Sequence, residues 1–192
     1  MPTPIGHSLI STAIFAGVNK KDKNFSVLDY FIFLFFGMLP DLDFLPGLII
    51  GEPSRYHHGF SHSFVMSLVM GLMAGLVYYL IRRKYLVQYS FIFSGVYFAH
   101  VAADFFAVDT SLPIGEQLFW PFWNGYLLSP FTFFLDVHRS AESFDFFVSM
   151  FNSHNLKTVM VEIAICVPLI LGVQLRNKFS NTKVQSHQVK NK

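Results

Sequence analysis

The sequence predicts an all-α protein, a polytopic transmembrane helix bundle of about four to five membrane helices with interfacial segments. Apolar residues make up 53% of the 192 residues and charged residues only 14%, whereas soluble domains usually carry about 25% charged residues. The mean hydropathy is +0.44. The chain also has 24 phenylalanines, more than a soluble core of this size would bury.

Three apolar segments have close to the roughly 20 residues that cross about 30 Å of hydrocarbon: residues 60–81, 87–108 and 159–175. Two shorter apolar segments complete the bundle if they also span: residues 5–18 and 27–39. The second of these stops before Pro40, as helices often do. Residues 109–155 are rich in Trp, Phe and Pro, which predicts interfacial segments.

The basic residues predict the orientation of the bundle. If all five segments span, one face receives most of the 14 lysines and arginines: Lys20, Lys21, Lys23, Arg82, Arg83, Lys84, Arg176, Lys178, Lys183, Lys190 and Lys192. Because basic loops stay in the cytoplasm, we expect the N-terminus outside and the C-terminus inside. Residues 1–178 are predicted to form one membrane-embedded domain, followed by a polar, disordered tail over residues 179–192.

Histidines and aspartates are predicted to meet at the opposite, non-cytoplasmic face. Four segments bring them to that end: His7; Asp41 and Asp43; His57, His58 and His62; and His100 and Asp104. Lysine and arginine alone gave the orientation, so this convergence is independent of it. Several carboxylates so close to lipid would be costly to bury without a cation.

The spacing of these residues suits metal ligands. His100 and Asp104 are four residues apart on a predicted helix and therefore face the same side. Asp41 and Asp43 are two residues apart in non-helical backbone and can also face one side. Imidazole and carboxylate together favour zinc, with manganese or iron as alternatives, and the number of ligands allows one or two ions.

These histidines and aspartates also have explanations that involve no metal. A buried histidine or aspartate can simply hydrogen-bond a neighbouring helix, and one aspartate after Pro40 can serve a turn. Between His57 and His58, one is expected to be a ligand and the other a solvated or supporting group. The sequence also leaves open whether His138, Glu142 or Glu162 joins the site.

Five motifs occur in an order that resembles a known family: GHSL (6–9), GMLPDLDFLPG (37–47), HHGFSHS (57–63), HVAAD (100–104) and LFWPF (118–122). The order is similar to that of the LexA-regulated, membrane-bound, metal-dependent hydrolases of bacterial inner membranes, over about residues 5–125. The resemblance implies an inner-membrane, metal-dependent hydrolase. That family usually has arginine where this chain has His58.

A more distant likeness is to the zinc-dependent phospholipases C, which are soluble helical enzymes. By that likeness Asp104 would bridge two ions and His7 would bind the second. Those enzymes also use a later histidine and glutamate four residues apart, a spacing that His138 and Glu142 reproduce.

The sequence therefore predicts a membrane-embedded hydrolase, phosphoesterase- or phospholipase-like, acting on a lipid or lipid-linked phosphoester at the outer leaflet boundary. His62, His100, Asp104 and one of Asp41 and Asp43 would hold the main ion, and the other aspartate would be the general base. The alternatives are an ion or proton transporter and a non-catalytic metal-binding membrane protein. The expected partners are the bilayer and a lipid-like substrate. The sequence lacks the interleaved basic and aromatic residues that indicate nucleic-acid binding, so no nucleic-acid partner is expected.

Overall fold

A computed structural model describes residues 1–19, 25–83 and 85–190, and these ranges are helical apart from loops. Their α-helices are α1 (Pro4–Asn19), α2 (Val27–Met38), α3 (Phe44–Ile50), α4 (Phe64–Arg82), α5 (Leu86–Phe105), α6 (Phe146–Ser149) and α7 (Ser153–Lys190). Three short 3-10 helices lie between α2 and α4: Pro40–Asp43, Pro53–Tyr56 and Phe60–His62. Within the described ranges there is no β-strand, only two isolated bridges. The predicted all-α class is confirmed.

Three helices are long and apolar enough to cross a membrane: Phe64–Arg82, Leu86–Phe105 and the first part of α7, Ser153–Ser180. Val27–Met38 and Pro40–Ile50 together make a fourth candidate span, bent by 51°. The bend falls at Pro40, which lacks the N–H that a continuous helix needs. Pro4–Val18 is apolar but shorter. These helices confirm the predicted polytopic bundle.

Two boundaries differ from the sequence-based expectation. The first long span begins at Phe64 and not at Phe60, because Ser63 caps α4 by accepting a hydrogen bond from the Met66 amide. The last helix continues to Lys190, into the segment 179–192 for which a disordered tail is predicted. The division of the chain at residue 178 stays a prediction. Five of the basic residues used for the orientation lie outside the described residues: Lys20, Lys21, Lys23, Lys84 and Lys192.

A buried acid joins α2 to α4 at the end of the bundle away from the histidines. Asp29 and Ser26 form a capping box at the start of α2. The Tyr78 hydroxyl donates to Asp29 at 3.1 Å, and the Arg82 guanidinium lies 3.3 Å from the same carboxylate. Asp29 and Arg82 are therefore paired with each other, and an aromatic core of Phe33, Tyr89 and Phe93 packs nearby.

Helices α4 and α5 pack so closely that glycine is required in the contact. A Cβ atom on Gly71 would lie 2.0 Å from the Ser94 hydroxyl oxygen and 2.4 Å from the Ser94 backbone nitrogen. Gly75 meets Ser90 in the same way one turn later. Small residues of this kind let transmembrane helices approach each other.

We expect Gly71→Ala to destabilise the protein by about 1–3 kcal/mol, because the added methyl group must push α4 away from α5. Gly95→Ala is the matched control, since a Cβ atom at Gly95 on α5 meets nothing within 4 Å. Thermal unfolding of the purified proteins in one detergent gives the comparison. Equal unfolding temperatures for the two variants would contradict the close packing.

Candidate metal centre

The centre is built around His100 and Asp104, which lie one turn apart at the end of α5. The His100 Nε2 atom is 3.0 Å from Asp104 Oδ2, and both side chains are buried. On its other side the His100 Nδ1–H donates to the Gly37 carbonyl at 2.7 Å. That bond fixes the tautomer and leaves Nε2 free to bind a metal, as in many protein metal sites.

Two further side chains converge on the same point. His62 Nε2 lies 3.2 Å from Asp104 Oδ2, and Asp41 Oδ1 lies 3.4 Å from His100 Nε2. One ligand atom from each of these four residues lies within 4.8 Å of the others. A tetrahedral zinc site with bonds near 2.1 Å has its ligand atoms about 3.4 Å apart. The donor set and its spacing fit a divalent ion.

Asp43 has different neighbours from Asp41. One oxygen of Asp43 pairs with His57 Nδ1 at 2.9 Å. The other accepts from the Ser61 hydroxyl at 2.6 Å and lies 3.1 Å from His62 Nδ1. Both oxygens are therefore engaged behind the histidines, whereas Asp41 Oδ1 faces the centre. The short 3-10 helix Pro40–Asp43 turns the two carboxylates in these different directions.

We expect Asp43→Asn to weaken metal binding by about 10–100-fold, because the carboxylate that orients His62 would be lost while the residues nearest the ion stay in place. Metal affinity of the purified protein, measured by competition with a chelator, is the readout. Glu52→Gln is the control, since Glu52 is an exposed acid paired with Arg55. An Asp43→Asn chain with wild-type affinity would contradict this role.

Further candidate ligands lie close to Asp104. His7 Nε2 is 3.2 Å from Asp104 Oδ1, and the His7 ring stacks on His100 with 3.7 Å between ring centroids. His58, Asp104 and Glu116 also place one ligand atom each within 4.8 Å of one another. Asp104 is therefore shared by this group and by the four-residue group described above, and its two oxygens lie beside different histidines. A carboxylate in that position would be able to bridge two ions.

The ligand atoms are buried without hydrogen-bond partners. Several lie 3.0–3.4 Å apart, yet their angles do not make hydrogen bonds. Leaving such an atom unsatisfied costs about 1–3 kcal/mol, and divalent cations would remove that cost for the whole group. Among the described residues the unpartnered atoms here are His7 Nδ1 and Nε2, Asp41 Oδ1, His58 Nε2, His62 Nε2, His100 Nε2, and both carboxylate oxygens of Asp104 and Glu116.

His57 and His58 are distinguished by their free nitrogens. His57 pairs with Asp43 through Nδ1, contacts the Met1 sulfur with Nε2 at 3.1 Å, and stacks on Phe44. His58 Nδ1 faces Asp109 at 3.5 Å and its Nε2 has no partner. His58 also adopts the left-handed conformation with φ of 60°, a strained state that clusters at functional sites. The geometry favours His58 as the ligand.

Burial and charge set the protonation of the groups around the centre. Burial, followed by repulsion from His58, holds the pKa of His57 well below its usual value. Burial would lower the pKa of His62 too, but the carboxylates of Asp43 and Asp104 outweigh it and raise that pKa well above the ordinary value. Burial, then repulsion from Asp104, raises the pKa of Glu116. Cations entering here replace protons, so metal binding weakens as the pH falls.

His138 and Glu142, two further candidates from the sequence, do not lie at this centre. Glu142 is exposed. His138 stacks on His154 with 3.7 Å between centroids, and both face Asp136. Ligand atoms of Asp136, His138 and His154 lie within 4.8 Å of one another, but the Asp136 oxygens already pair with Thr110 and His154. This group is a separate, half-exposed cluster.

Glu162 holds the start of α1 and does not bind at the centre. It is completely buried on α7 and accepts short hydrogen bonds from the backbone amide and the hydroxyl of Thr3. Gly6 leaves room for this carboxylate, because a Cβ atom there would lie 2.7 Å from Glu162 Cδ. Glu162 thus fixes the start of α1, and with it the position of His7, without contacting the centre.

Two acids at the centre, Asp109 and Glu116, are absent from the sequence-based set. Glu116 reaches the site because its loop is tied back by a backbone pair with Leu127, and the Gln117 amide donates to the His58 carbonyl. The signal available in the sequence was an isolated acid in an apolar, aromatic segment, which needs a partner near lipid. Spacing could not reveal it, since the contact spans a loop of irregular backbone.

A comparison with known protein families identifies the family of this chain. The model of the family described as YdjM inner membrane protein matches residues 1–179. The chain belongs to this family. The match covers every residue of the centre and confirms an inner-membrane protein with transmembrane helices that is associated with the lipid bilayer. No curated protein and no solved structure matches the chain.

Proposed function

We propose that the chain is a membrane-embedded, metal-dependent hydrolase that acts on a lipid or lipid-linked phosphoester. The observation that carries the proposal is the convergence of buried, unpartnered histidine and carboxylate atoms on both oxygens of Asp104. A purely structural polar cluster would satisfy its own hydrogen bonds. This cluster leaves them open at one end of the bundle, where head groups meet the apolar helices.

In this proposal zinc is the favoured ion, and two ions would be held. Asp41, His62, His100 and Asp104 would hold the first ion. His58, Glu116 and Asp104 would hold the second, and we assign His7, which lies 3.2 Å from Asp104 Oδ1, to that ion as a further ligand. Divalent ions held there supply Lewis-acid activation of a water and of a phosphoryl oxygen.

The remaining groups position and move protons. Asp41 lines both the centre and an adjoining apolar cavity. We propose that its Oδ1 atom would hold the ion and that its other oxygen would accept the proton of the attacking water. Asp43 does not face the water; it holds His57 and His62 in the tautomers that their roles require. This assigns to Asp41 the general-base role that the sequence left open between the two aspartates.

The test uses protein purified in detergent, with metal content and hydrolysis measured on a panel of phosphorylated and acylated lipids. We expect bound divalent metal, hydrolysis of a phosphoester, loss of activity with a chelator and recovery with zinc. The double variant His100→Ala, Asp104→Ala is the reference for non-specific metal. A wild-type chain with no more metal than this variant overturns the proposal. Bound metal without hydrolysis of any lipid would favour a non-catalytic metal-binding protein.

We further propose that the centre faces the non-cytoplasmic side and that the C-terminus is cytoplasmic, which the position of Arg82 at the opposite end supports. In a Cys166→Ala background, Asn124→Cys should react with a membrane-impermeant maleimide on intact spheroplasts. Arg176→Cys should react only after permeabilisation. Both native side chains are exposed, and Cys166 is buried. The reverse labelling pattern would overturn the orientation.

A further inference from the structure

We propose that Arg139 and the apolar cavity beside it bind a lipid phosphate, with the phosphate between Arg139 and the metal centre and one hydrocarbon chain in the cavity. This inference names the substrate class of the proposed hydrolase and so rests on the proposed function. It assigns a role to Arg139, which lies outside every motif described above.

The cavity has the character of a site for a hydrocarbon chain. Its volume is about 350 Å³, near the lower end of ligand sites and suited to one chain. The end of α2, α3 and α6 form its walls, and the side chains of Phe35, Leu45 and Phe147 remain exposed beside it. An apolar chain could therefore enter from the surrounding bilayer.

The cavity has polar side chains at two positions, Asp41 and Arg139. Asp41 belongs to the metal centre through its contact with His100. A molecule in the cavity thus has its apolar part among Phe and Leu side chains and its polar end beside the ligands of the first ion. This is the placement that a hydrolase needs for an ester joined to a hydrocarbon chain.

Arg139 is a partly buried cation without a carboxylate partner among the described residues. Its guanidinium lies over the Phe44 ring at 4.7 Å, and Nη1 donates to the Met1 sulfur at 2.8 Å, a weak and neutral acceptor. Its Nε atom is buried with no partner. Among the described residues no carboxylate oxygen lies within 4.0 Å of it.

The charges then specify the occupant. Divalent ions at the centre would neutralise the nearby carboxylates. An anion between these ions and the partly buried guanidinium of Arg139 would then be attracted by both. Arginine presents a rigid fork of donors that matches phosphate oxygens. A phosphate linked directly to a chain satisfies the arginine, the ions and the apolar cavity together.

Binding of hexadecyl phosphate to the metal-loaded protein in detergent tests the inference, with inorganic phosphate and hexadecanol as probes that lack one part of the molecule. We expect hexadecyl phosphate to bind far more tightly than either. Arg139→Gln should weaken its binding by about 10–100-fold, the effect of losing charged hydrogen bonds, and Arg139→Lys should weaken it less. Leu45→Trp, which fills the cavity, should weaken hexadecyl phosphate and leave inorganic phosphate unchanged.

Arg55→Gln is the matched control, because Arg55 is an exposed arginine already paired with Glu52. Metal content and unfolding temperature of each variant are measured alongside, so that a misfolded protein is recognised and the remaining variants decide. Inorganic phosphate binding as tightly as hexadecyl phosphate, or wild-type binding by both Arg139→Gln and Leu45→Trp, overturns the inference. Arg139-dependent binding without hydrolysis of any lipid overturns the proposed function alone, and hydrolysis that is independent of Arg139 overturns this inference alone.

Discussion

Asp104→Asn should weaken metal binding by at least about 100-fold, more than the loss of a supporting residue, and abolish hydrolysis. One oxygen of Asp104 faces His62 and His100, and the other faces His7. The amide keeps the shape of the side chain but loses the charge that both sets of ligands share. Asp104 belongs both to the group with Asp41, His62 and His100 and to the group with His58 and Glu116, so this substitution should have the largest effect.

The measurement is metal per chain by mass spectrometry, together with hydrolysis of the best lipid substrate. Asp145→Asn is the control, because Asp145 is an exposed acid in the loop before α6. An unfolding temperature close to that of the metal-free wild type separates lost metal from lost fold. An Asp104→Asn protein that retains wild-type metal would show that the ion does not lie at this carboxylate.

Much of this centre was predictable from the sequence for a physical reason. Ionisable residues inside apolar segments need partners, and helical spacing places His100 and Asp104 on one face. The alternation of spans then brings His7 and His62 to the same end as that pair, and their contacts with Asp104 agree with this expectation. These inferences depend only on charge in lipid and on helix periodicity.

Other features depend on backbone geometry that the sequence does not display. Asp41 and Asp43 are equivalent in a pattern of alternating residues, but a 3-10 turn points one at His100 and the other at His57. His58 differs from His57 because its backbone is left-handed. Helix α4 begins at Phe64, later than expected, because the Ser63 side chain caps the helix by accepting a hydrogen bond from the Met66 amide.

The position of Glu162 weighs against a transport pathway. A conduit needs polar groups distributed through the bilayer, at sites that water can reach. Glu162 is an acid within the apolar stretch of α7. It is fully buried and accepts hydrogen bonds from Thr3. Its carboxylate therefore anchors the start of α1, and among the described residues the buried, unpartnered histidine and carboxylate atoms all belong to the metal centre.

Glu116→Gln is expected to remove one ion and leave the other. Glu116 forms one group of candidate ligands with His58 and Asp104, and it is not a member of the group of Asp41, His62, His100 and Asp104. Glutamine retains the volume of the side chain and loses its charge, so the metal content should fall from two ions to about one per chain. If the second ion assists the reaction, the rate should fall by about 10²–10⁴-fold, the range found for groups that act directly in proton transfer.

Metal content and rate together decide what Glu116 does. Glu142→Gln provides the control, since Glu142 is an exposed acid in the same long loop. Unchanged metal with a reduced rate would contradict the ligand role and make Glu116 a proton acceptor. Unchanged metal with an unchanged rate would contradict both, and the buried carboxylate would then need another explanation. Because Asp41, His62, His100 and Asp104 form a group that does not include Glu116, the first ion should survive. Its retention is the observation that separates a two-ion centre from a single shared one.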